Sequence, residues 1–443
     1  MLTYLSSSSV PHILAALYAL REYSITAEIE NFEDLIIDSK LGKFLCLRLL
    51  IHEQFKEKID YTIVYEILWI LINFLSFISK RKTEYLHELV EPELLQCLER
   101  LLIRNDYSRI VESTIGILIS LSASNQLYKE ILLNSSIYEK CIFLSTKNPI
   151  SEEILSSLLE FFAISMKKID TEKYINQIYK TLTLFIHEMF SKSPNCFYYS
   201  VIGICNITNL DNLPDKQYKR IINDGPVVKL IRGNVKQDKR VLFCSLQIFL
   251  NLLSLNDKII ETMLDLRVLD YYESLISQYM NDQELTPLIL GGMGNIAGGK
   301  TEFKKLIINS TLFSEEEQNR YLTLLYSSEY EIKEQMITII SNLSLSKNTE
   351  ILSFLNERGI INEILNLLIN ETNRIQLFNK YNSIITSFLL NFHKVNLQKN
   401  QKYYFVFEKY RDILSSNNPL IEEKDIEKMR AIIQEVFGNN LIR

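Results

Sequence analysis

A short helical element recurs along the chain at an almost constant interval. Each copy is an apolar run that ends in a small or amide residue and is followed by Ser, Gly or Asn. Successive copies lie 47, 43, 43, 45, 44 and 47 residues apart. A period of this length is typical of repeat proteins in which units stack and the core runs continuously between them. The copies are centred on Asn73, Ser120, Ala163, Asn206, Asn251, Asn295 and Asn342.

A turn ahead of an apolar helix also recurs, and it indicates how many helices each unit contains. Gly359 opens one such helix, Gly225 and Pro226 open another, and Val268 begins a third. Gly and Pro at this place make a sharp turn between a short helix and the next one. Three helices per unit, with a turn after the first, is the armadillo pattern, whereas the HEAT pattern has two. We therefore predict an all-α fold, an armadillo-repeat right-handed superhelix (α-solenoid).

The composition agrees with this fold and argues against others. The chain is 47% hydrophobic, so it can bury a core, but its 443 residues include only 12 Gly and 8 Pro, too few for the turns of a sheet-rich fold. No linker divides it, and we expect a single array over residues 1–443. This array would have a first unit at about 1–60, repeats over 61–395 and a C-terminal capping repeat over 396–443.

Charge, cysteines and hydropathy limit the partners and the compartment. The net charge of −6 gives no reason to expect direct nucleic-acid binding. The six cysteines never form a CxxC pair, which is typical of reduced, buried thiols in a protein of the cytoplasm and nucleus. The apolar segment Tyr61–Ser79 is about long enough to span a membrane, but it contains Glu66 and Asn73. We interpret it as a buried helix and expect no membrane partner.

Signatures of chemistry are weak. The five histidines are scattered, without an HExxH motif or metal-ligand spacing on one helix. Gly294–Thr301 matches the P-loop pattern G-x-x-x-x-G-K-[ST], but no alternation of strands and helices surrounds it, and the same residues fit the repeat register. We expect no catalytic residue, no metal, no cofactor and no enzymatic activity. A nucleotide-hydrolysing enzyme is the distant alternative.

Three segments carry a resemblance to a known family that covers most of the chain. Tyr65–Asn73 (YEILWILIN) is similar to the sequence F-E-S-A-W-A-L-T-N in the second repeat of that family. Ser341–Leu368 looks like its eighth repeat, including the loop and the Gly-led helix. Tyr410–Phe437 is similar to its closing tenth repeat. The chain thus resembles the importin-alpha (karyopherin-alpha) family, the adaptors that recognise nuclear localisation signals.

The resemblance implies a concave groove lined by the third helix of each unit. In the family, an Asn on this helix hydrogen-bonds the backbone of an extended peptide, and a Trp four residues earlier flanks the Lys side chains of the peptide. Glu66, Trp69 and Asn73 would here form a reduced major site. The Asn recurs at four later positions, of which the last three would form a minor site: Asn206, Asn251, Asn295 and Asn342.

The chain departs from the family in two respects. Trp69 is its sole Trp, and the next two units carry Gly116/Ser120 and Leu159/Ala163 in place of the Trp/Asn pair. In addition, the Arg/Lys-rich arm that recruits importin-beta in the family does not precede the first repeat. The first departure weakens the expected major site, and the second bears on how a carrier would be recruited.

Two functional hypotheses follow. The first is an importin-alpha-like nuclear transport adaptor that binds Lys/Arg-rich nuclear localisation signals as extended peptides. Its implied partners are cargo proteins with basic localisation signals, an importin-beta-type carrier and an export receptor. The second is an armadillo-repeat scaffold, a protein-interaction module that has lost this signal recognition. The missing Trp residues favour the scaffold, and the eighth and tenth repeats favour the adaptor. The Asn series also has a purely structural interpretation, because Asn commonly caps helix ends.

Overall fold

The computed structural model describes residues 2–26, 41–53, 58–78, 86, 90–104, 107–147, 149–233, 238–314, 320–370 and 375–394. In these residues the chain forms α-helices and one 3-10 turn, without a β-strand. This confirms the predicted all-α fold. The predicted capping repeat over 396–443, with its segment Tyr410–Phe437, lies outside the described residues.

Residue contacts group the chain into two compact units, Met1–Pro226 and Val227–Arg443. Each unit has its own stacked helices, and the single array over 1–443 stays a prediction. The described helices of the first unit are α1 Leu2–Leu5, α2 Val10–Thr26, α3 Leu41–His52, α4 Lys58–Ile78, α5 Pro92–Leu102, α6 Ser108–Ser124, α7 Gln126–Leu133, α8 Ser136–Ser145, α9 Glu152–Ser165, α10 Ile175–Glu188, α11 Pro194–Thr208 and α12 Asp215–Asn223.

The second unit continues in the same style. Its first helix, α13, starts at the junction. The described elements are α13 Pro226–Arg232, α14 Lys239–Leu253, α15 Asp257–Asp265, α16 Val268–Tyr279, α17 Leu285–Gly298, α18 Thr301–Ile308, a 3-10 turn at Thr311–Phe313, α19 Arg320–Leu325, α20 Tyr330–Ser344, α21 Thr349–Glu357, α22 Ile360–Asn370 and α23 Ile375–Lys394.

The repeating element consists of three helices. In the second unit α15, α16 and α17 form one such set, and α21, α22 and α23 form another. In the first unit α7, α8 and α9 follow the same order. A short first helix, a longer second helix and a third helix that packs on its neighbours make up an armadillo-type layer. The chain is therefore an α-solenoid with armadillo-type repeats, as the sequence predicted.

A recurring Asn determines where the first helix of a unit begins. The side-chain oxygen of Asn125 accepts a hydrogen bond from the backbone N–H of Tyr128, and that of Asn256 accepts one from Ile259. Asn348 caps the next such helix, α21, in the same way. Each cap of this kind stabilises a helix by about 1 kcal/mol. These asparagines lie within four residues of the end of a third helix, so one repeat ends close to where the next begins.

Three of the turns before a second helix contain a residue in the left-handed region. Gly225 has φ +102° and Gly359 has φ +70°, as the predicted turns require. In the equivalent place before Val268 the chain carries Arg267, with φ +67°. A residue with a Cβ costs about 1–2 kcal/mol in this conformation, whereas Gly adopts it freely. Arg267 is therefore a site of backbone strain.

The third helices pack on one another in chain order within each unit. In the first unit α2, α4, α6, α9 and α11 each contact the next helix of this series, and in the second unit α14, α17, α20 and α23 do the same. Their apolar side chains are buried, as Ile67 and Phe74 of α4 illustrate. The apolar segment that starts at Tyr61 thus serves as packing surface. Among the described helices, none combines the length and apolar character that crossing a membrane would demand.

Candidate functional site

The predicted asparagines Asn73, Asn206, Asn251, Asn295 and Asn342, here called the Asn row, lie half-buried on the third helices. In three of them the side-chain amide donates a hydrogen bond to a backbone carbonyl of the preceding third helix. A bond of this kind stabilises the fold by about 0.5–1.5 kcal/mol, so these asparagines act as clamps between repeats. The bonds join Asn206 to Ala163 (2.8 Å), Asn295 to Leu250 (3.1 Å) and Asn342 to Gly294 (2.9 Å).

Clamping leaves the amide oxygen available to another partner. An Asn side chain has two N–H donors and one oxygen acceptor, and the clamp uses a single donor. Among the described residues, no group donates to Oδ1 of Asn206, Asn295 or Asn342, and these side chains are partly exposed. In Asn251 the oxygen accepts a hydrogen bond from Nε2 of Gln247 at 3.0 Å. Within each unit, the asparagines of the row therefore present acceptors on the third helices.

The clamp series extends past the residues that the sequence predicted. Asn391 of α23 donates its side-chain N–H to the carbonyl oxygen of Ser344 in α20, at 3.2 Å. Its distance of 49 residues from Asn342 in the sequence is close to the repeat period, and this spacing was the available signal. The apolar run around Asn391 lacks the following Ser or Gly that marked the other copies, so sequence inspection missed it.

The unit around α9 has a different register from the one predicted. Leu159 and Ala163, which we had aligned with the Trp/Asn pair, are 0% and 1% exposed. The half-buried pair at four-residue spacing is instead Glu160 and Ile164. The sequence copy FFAISMK has no Asn that would have indicated the correct alignment. The shift by one residue places an unexpected carboxyl group on the layer that carries the Asn row.

Glu160 has an unusual environment for a carboxyl group. Burial raises its pKa, and a hydrogen bond from the Tyr199 hydroxyl partly offsets this shift. Glu112, on the neighbouring third helix α6, is exposed. One turn further along α6, a Cβ on Gly116 would lie 2.9 Å from Cδ1 of Ile72, so a larger side chain there would require the end of the Ile72 side chain to move. Acidic groups rather than Trp rings characterise this stretch.

The predicted major site does come together on one face of α4, but α2 already contacts it. Cζ of Arg21 lies 4.7 Å from the centroid of the Trp69 ring. Nη1 of Arg21 lies 3.0 and 3.3 Å from the two carboxylate oxygens of Glu66. The side-chain amide of Asn73 donates a hydrogen bond to Oγ of Ser24 at 3.3 Å. Glu66, Trp69 and Asn73 therefore form a cluster that already contains a cation of the same chain, the guanidinium group of Arg21.

The predicted minor site in the second unit has amides without aromatic walls, in agreement with its sequence. Gln247 stands four residues before Asn251 and bonds to it. At Gly291, an added Cβ would lie 3.1 Å from Cδ1 of Leu250, so no larger side chain fits without movement. Thr338 uses its hydroxyl to bond the carbonyl of Glu334 within α20, at 2.9 Å. This part of the layer offers hydrogen bonds rather than cation–π surfaces.

The P-loop pattern does not form a phosphate cradle. Gly294 to Gly298 belong to the helix α17, where backbone N–H groups bond within the helix and are not aimed at a ligand. Nζ of Lys300 pairs with Glu261 at 3.2 Å and lies over the ring of Phe303 at 4.7 Å. The residues fit the repeat register as predicted, and the motif match is accidental.

Two buried lysines connect helix ends, and neither was predicted from the sequence. Nζ of Lys304 in α18 donates to the carbonyls of Ala297 (2.5 Å) and Asn342 (2.8 Å), near the C-termini of α17 and α20. Nζ of Lys129 in α7 donates to the carbonyl of Lys167 at 2.6 Å. A cation satisfies these carbonyls and complements the helix dipole. Burial lowers the pKa of both lysines.

The cysteines agree with the prediction of reduced, mostly buried thiols. Five are buried and Cys244 is half-buried, and none is in a disulfide. Burial raises the pKa of Cys46 to about 12, so its reactive thiolate is scarce at neutral pH. Within the described parts of the chain, no three His, Cys, Asp or Glu side chains are grouped so that they could hold a metal ion.

Comparison with known proteins adds a likeness in fold. No protein-family model matches the chain, and no curated protein matches it. The structure of an engineered protein from a structural genomics consortium is similar with a TM-score of 0.75 and 16% identity, over 98% of this chain and 97% of that chain. A designed armadillo repeat protein in complex with peptide (KR)4 has a TM-score of 0.46 and 16% identity, over 55% of this chain and 97% of that chain. A computationally designed armadillo repeat protein for modular peptide recognition has a TM-score of 0.47 and 16% identity, over 55% and 98%.

Proposed function

We propose that the chain is a protein-interaction module that binds extended peptides along the members of the Asn row within each of its two units. The observation that carries this proposal is the half-buried amide side chain whose oxygen has no donor among the described residues, on Asn206 in the first unit and on Asn295 and Asn342 in the second. A peptide in extended conformation has backbone N–H groups without internal partners. Each Oδ1 of the row supplies an acceptor for one of them.

The spacing of the row suits such a peptide. Packed helices lie about 8–10 Å apart, and an extended chain rises about 3.3–3.6 Å per residue. Successive acceptors on α17 and α20, which contact each other directly, therefore match every second or third residue of the peptide. A site that binds the backbone of a peptide accepts different peptide side chains. The charged residues of the protein near that site therefore determine which peptides it prefers.

The acidic groups of the first unit favour a basic peptide. Glu112 is exposed on α6, and Glu160 is half-buried on α9, both on the layer that carries the Asn row. The chain as a whole carries a net charge of −6. Complementary charge steers encounter and excludes acidic segments. We expect Lys- and Arg-containing segments as the preferred ligands.

An importin-alpha-like nuclear adaptor is the finer candidate. The constellation of Glu66, Trp69 and Asn73 on one face of α4 favours it, because the family's sites combine the same residue types. Under this candidate the ligands are cargo proteins with basic localisation signals, the partners are an importin-beta-type carrier and an export receptor, and the protein works in the cytoplasm and nucleus. Neither candidate involves a catalytic step.

Fluorescence anisotropy of labelled peptides tests the binding proposal. A Lys/Arg-rich peptide and an uncharged peptide of equal length would be titrated with wild-type protein and with Asn295→Leu/Asn342→Leu over a salt series. We expect the double variant to bind the basic peptide about tenfold more weakly, because two hydrogen bonds of about 0.5–1.5 kcal/mol each are lost. Wild-type protein should prefer the basic peptide most strongly at low salt.

The double substitution also removes two clamps, so a matched control is needed. Asn256→Ala/Asn348→Ala removes two helix caps away from the Asn row and lowers stability by about 1 kcal/mol per site. This control should bind the peptide as wild type does. Equal affinity of wild type and the Asn295/Asn342 variant, or no binding of either peptide at low salt by folded protein, would refute the proposal.

A further inference from the structure

Arg21 engages the cluster of Glu66 and Trp69 in the way that a bound cationic side chain would. Its guanidinium carbon lies 4.7 Å from the centroid of the Trp69 ring, within cation–π range. Its Nη1 lies 3.0 Å from Oε1 and 3.3 Å from Oε2 of Glu66, which are the distances of charge-assisted hydrogen bonds. The side chain of Glu66 is only 4% exposed, so Arg21 is its partner in place of water.

The remaining polar group of the cluster is engaged by the same turn of α2. Asn73 donates its side-chain N–H to Oγ of Ser24 at 3.3 Å. Oγ of Ser24 in turn donates to the backbone carbonyl of Arg21 at 2.7 Å. Each residue that the sequence assigned to a ligand site on α4 therefore has a partner in α2.

The chemistry of the cluster selects a guanidinium group. A flat cation can lie against an indole ring and direct N–H groups to a carboxylate at the ring edge at the same time, which the compact ammonium of Lys does less well. Arg21 keeps 34% of its side chain exposed while Glu66 is covered. Arg21 is thus the more accessible member of the pair. A cation that an external ligand displaces has to be accessible in this way.

We infer that Glu66 and Trp69 form a guanidinium-binding site whose resident ligand is Arg21, and that an external Arg or Lys side chain enters only by displacing it. The inference depends on the proposed function in one respect, since the displacing ligand is a peptide in the Asn row. In the resting protein the site is closed by the chain itself. A basic peptide then binds first through the other positions of the row.

The sole Trp of the chain makes this site directly observable. Trp69 emission would be recorded for wild type and for Arg21→Ala, with and without millimolar methylguanidinium or methylammonium. We expect Arg21→Ala to change the emission and to lower the thermal midpoint, because a covered carboxylate loses its partner. Methylguanidinium should restore both, and methylammonium should be about tenfold less effective, because a flat guanidinium can lie against the Trp69 ring while it donates to Glu66.

Two further variants serve as controls, one for specificity and one for folding. Arg48→Ala removes an arginine that lies 5.7 Å from the Phe44 ring and bonds the Ser7 carbonyl, away from Trp69, and it should leave Trp69 emission unchanged. Should Arg21→Ala fail to fold, Arg21→Ala/Glu66→Gln leaves no uncompensated carboxylate and should fold without responding to methylguanidinium. Unchanged Trp69 emission in Arg21→Ala, or equal rescue by both cations, would overturn the inference.

Displacement is tested with the Lys/Arg-rich peptide. Arg21→Ala should bind it about tenfold more tightly than wild type and change its Trp69 emission on binding, since one subsite is opened. A wild-type protein whose Trp69 emission responds to the peptide as strongly as that of Arg21→Ala would contradict a closed site. Failure of the proposed function is distinguishable, because it abolishes peptide binding by both proteins, whereas the methylguanidinium rescue is measured without peptide.

Discussion

Arg267 has a backbone conformation that a residue with a Cβ disfavours. It has φ +67° immediately before α16, where two other repeats place Gly225 and Gly359. Its ion pair with Asp270 is largely exposed, at 80% and 52% for the two side chains, and exposed pairs contribute less than about 1 kcal/mol. The free-energy cost of the left-handed conformation is therefore larger than the stabilisation by the ion pair.

Replacing this residue should stabilise the protein. We expect Arg267→Gly to raise the free energy of unfolding by about 1 kcal/mol, measured by urea denaturation, because Gly adopts the left-handed conformation without strain. Gly359→Ala is the matched reverse change: no atom lies within 4 Å of the added Cβ, so it isolates the conformational cost, and it should lose a similar amount. A destabilised Arg267→Gly would show that the contact with Asp270 matters more than the turn.

At the scale of single residues, the sequence predicted where the recurring asparagines lie better than it predicted which side chains contact one another. The Asn row was found because its members recur at a fixed spacing. Arg267 was not identified as strained, because only Gly or Pro signals such a turn in a sequence. Glu160 was missed because its helix lacks the Asn that indicates the register. The contact of Arg21 with Trp69 joins residues 48 positions apart, and no local pattern announces it.

Two of the four glycines in helix α17, Gly292 and Gly294, differ in their packing. A Cβ on Gly292 would lie 2.3 Å from Oη of Tyr272, a side chain of α16 that is fully buried. A Cβ on Gly294 would lie 3.7 Å from Cγ1 of Ile339, which is ordinary van der Waals contact. The first glycine permits close approach of two helices, and the second leaves the helix without a side chain where one would fit.

These glycines should respond to substitution in opposite directions. We expect Gly292→Ala to lower the free energy of unfolding by at least about 1–3 kcal/mol, because the ring of Tyr272 is buried and cannot move aside freely. Gly294→Ala should be neutral or stabilising by up to about 1 kcal/mol, because Ala has the higher helix propensity. Thermal unfolding compares the two variants, whose substitutions lie two residues apart in the same helix. Loss of stability in both would contradict the prediction.

At the scale of helices, the apolar runs predicted which segments are helical, and the caps Asn125, Asn256 and Asn348 explain where the first helices start. The distance between helices could not be predicted in the same way. It depends on contacts such as Gly292 with Tyr272, which join elements that the sequence describes separately.

At the scale of the whole molecule, several cysteine thiols and tyrosine phenols are buried, and burial raises their pKa values. Burial raises the pKa of Cys46 from 9.0 to about 12 and that of Tyr271 from 10.0 to about 12. The pKa values of further buried thiols and phenols are also raised, among them those of Cys97, Cys141, Tyr138 and Tyr272. Each of these groups ionises at a lower pH in the unfolded chain than in the folded protein.

Stability should therefore fall as the pH rises above about 9, where the unfolded thiols begin to ionise. Above this pH the folded state holds more protons than the unfolded state, which lowers the free energy of unfolding with increasing pH. The buried Lys129 and Lys304, whose pKa values are lowered, act in the opposite direction, but they are outnumbered. Urea denaturation between pH 7 and 11 measures the trend, and a constant free energy of unfolding would contradict it.

The repeat spacing of 43–47 residues predicted an α-solenoid, because stacked repeats bury a continuous core whatever their individual sequences, and the turn before the second helix indicated the armadillo type. The single array over 1–443 and the capping repeat over 396–443 stay predictions. The importin-alpha-like role also stays a prediction, since it depends on side chains that no fold specifies.

The clamps of the Asn row have a consequence for how such chains are compared over evolution. Asn206, Asn295 and Asn342 hold neighbouring repeats together whether or not a peptide is present. A lineage that lost its ligand would still retain these asparagines, because replacing them loosens the stack. An asparagine at these positions is thus explained by the architecture of the stack alone, and its presence is not by itself evidence of a ligand.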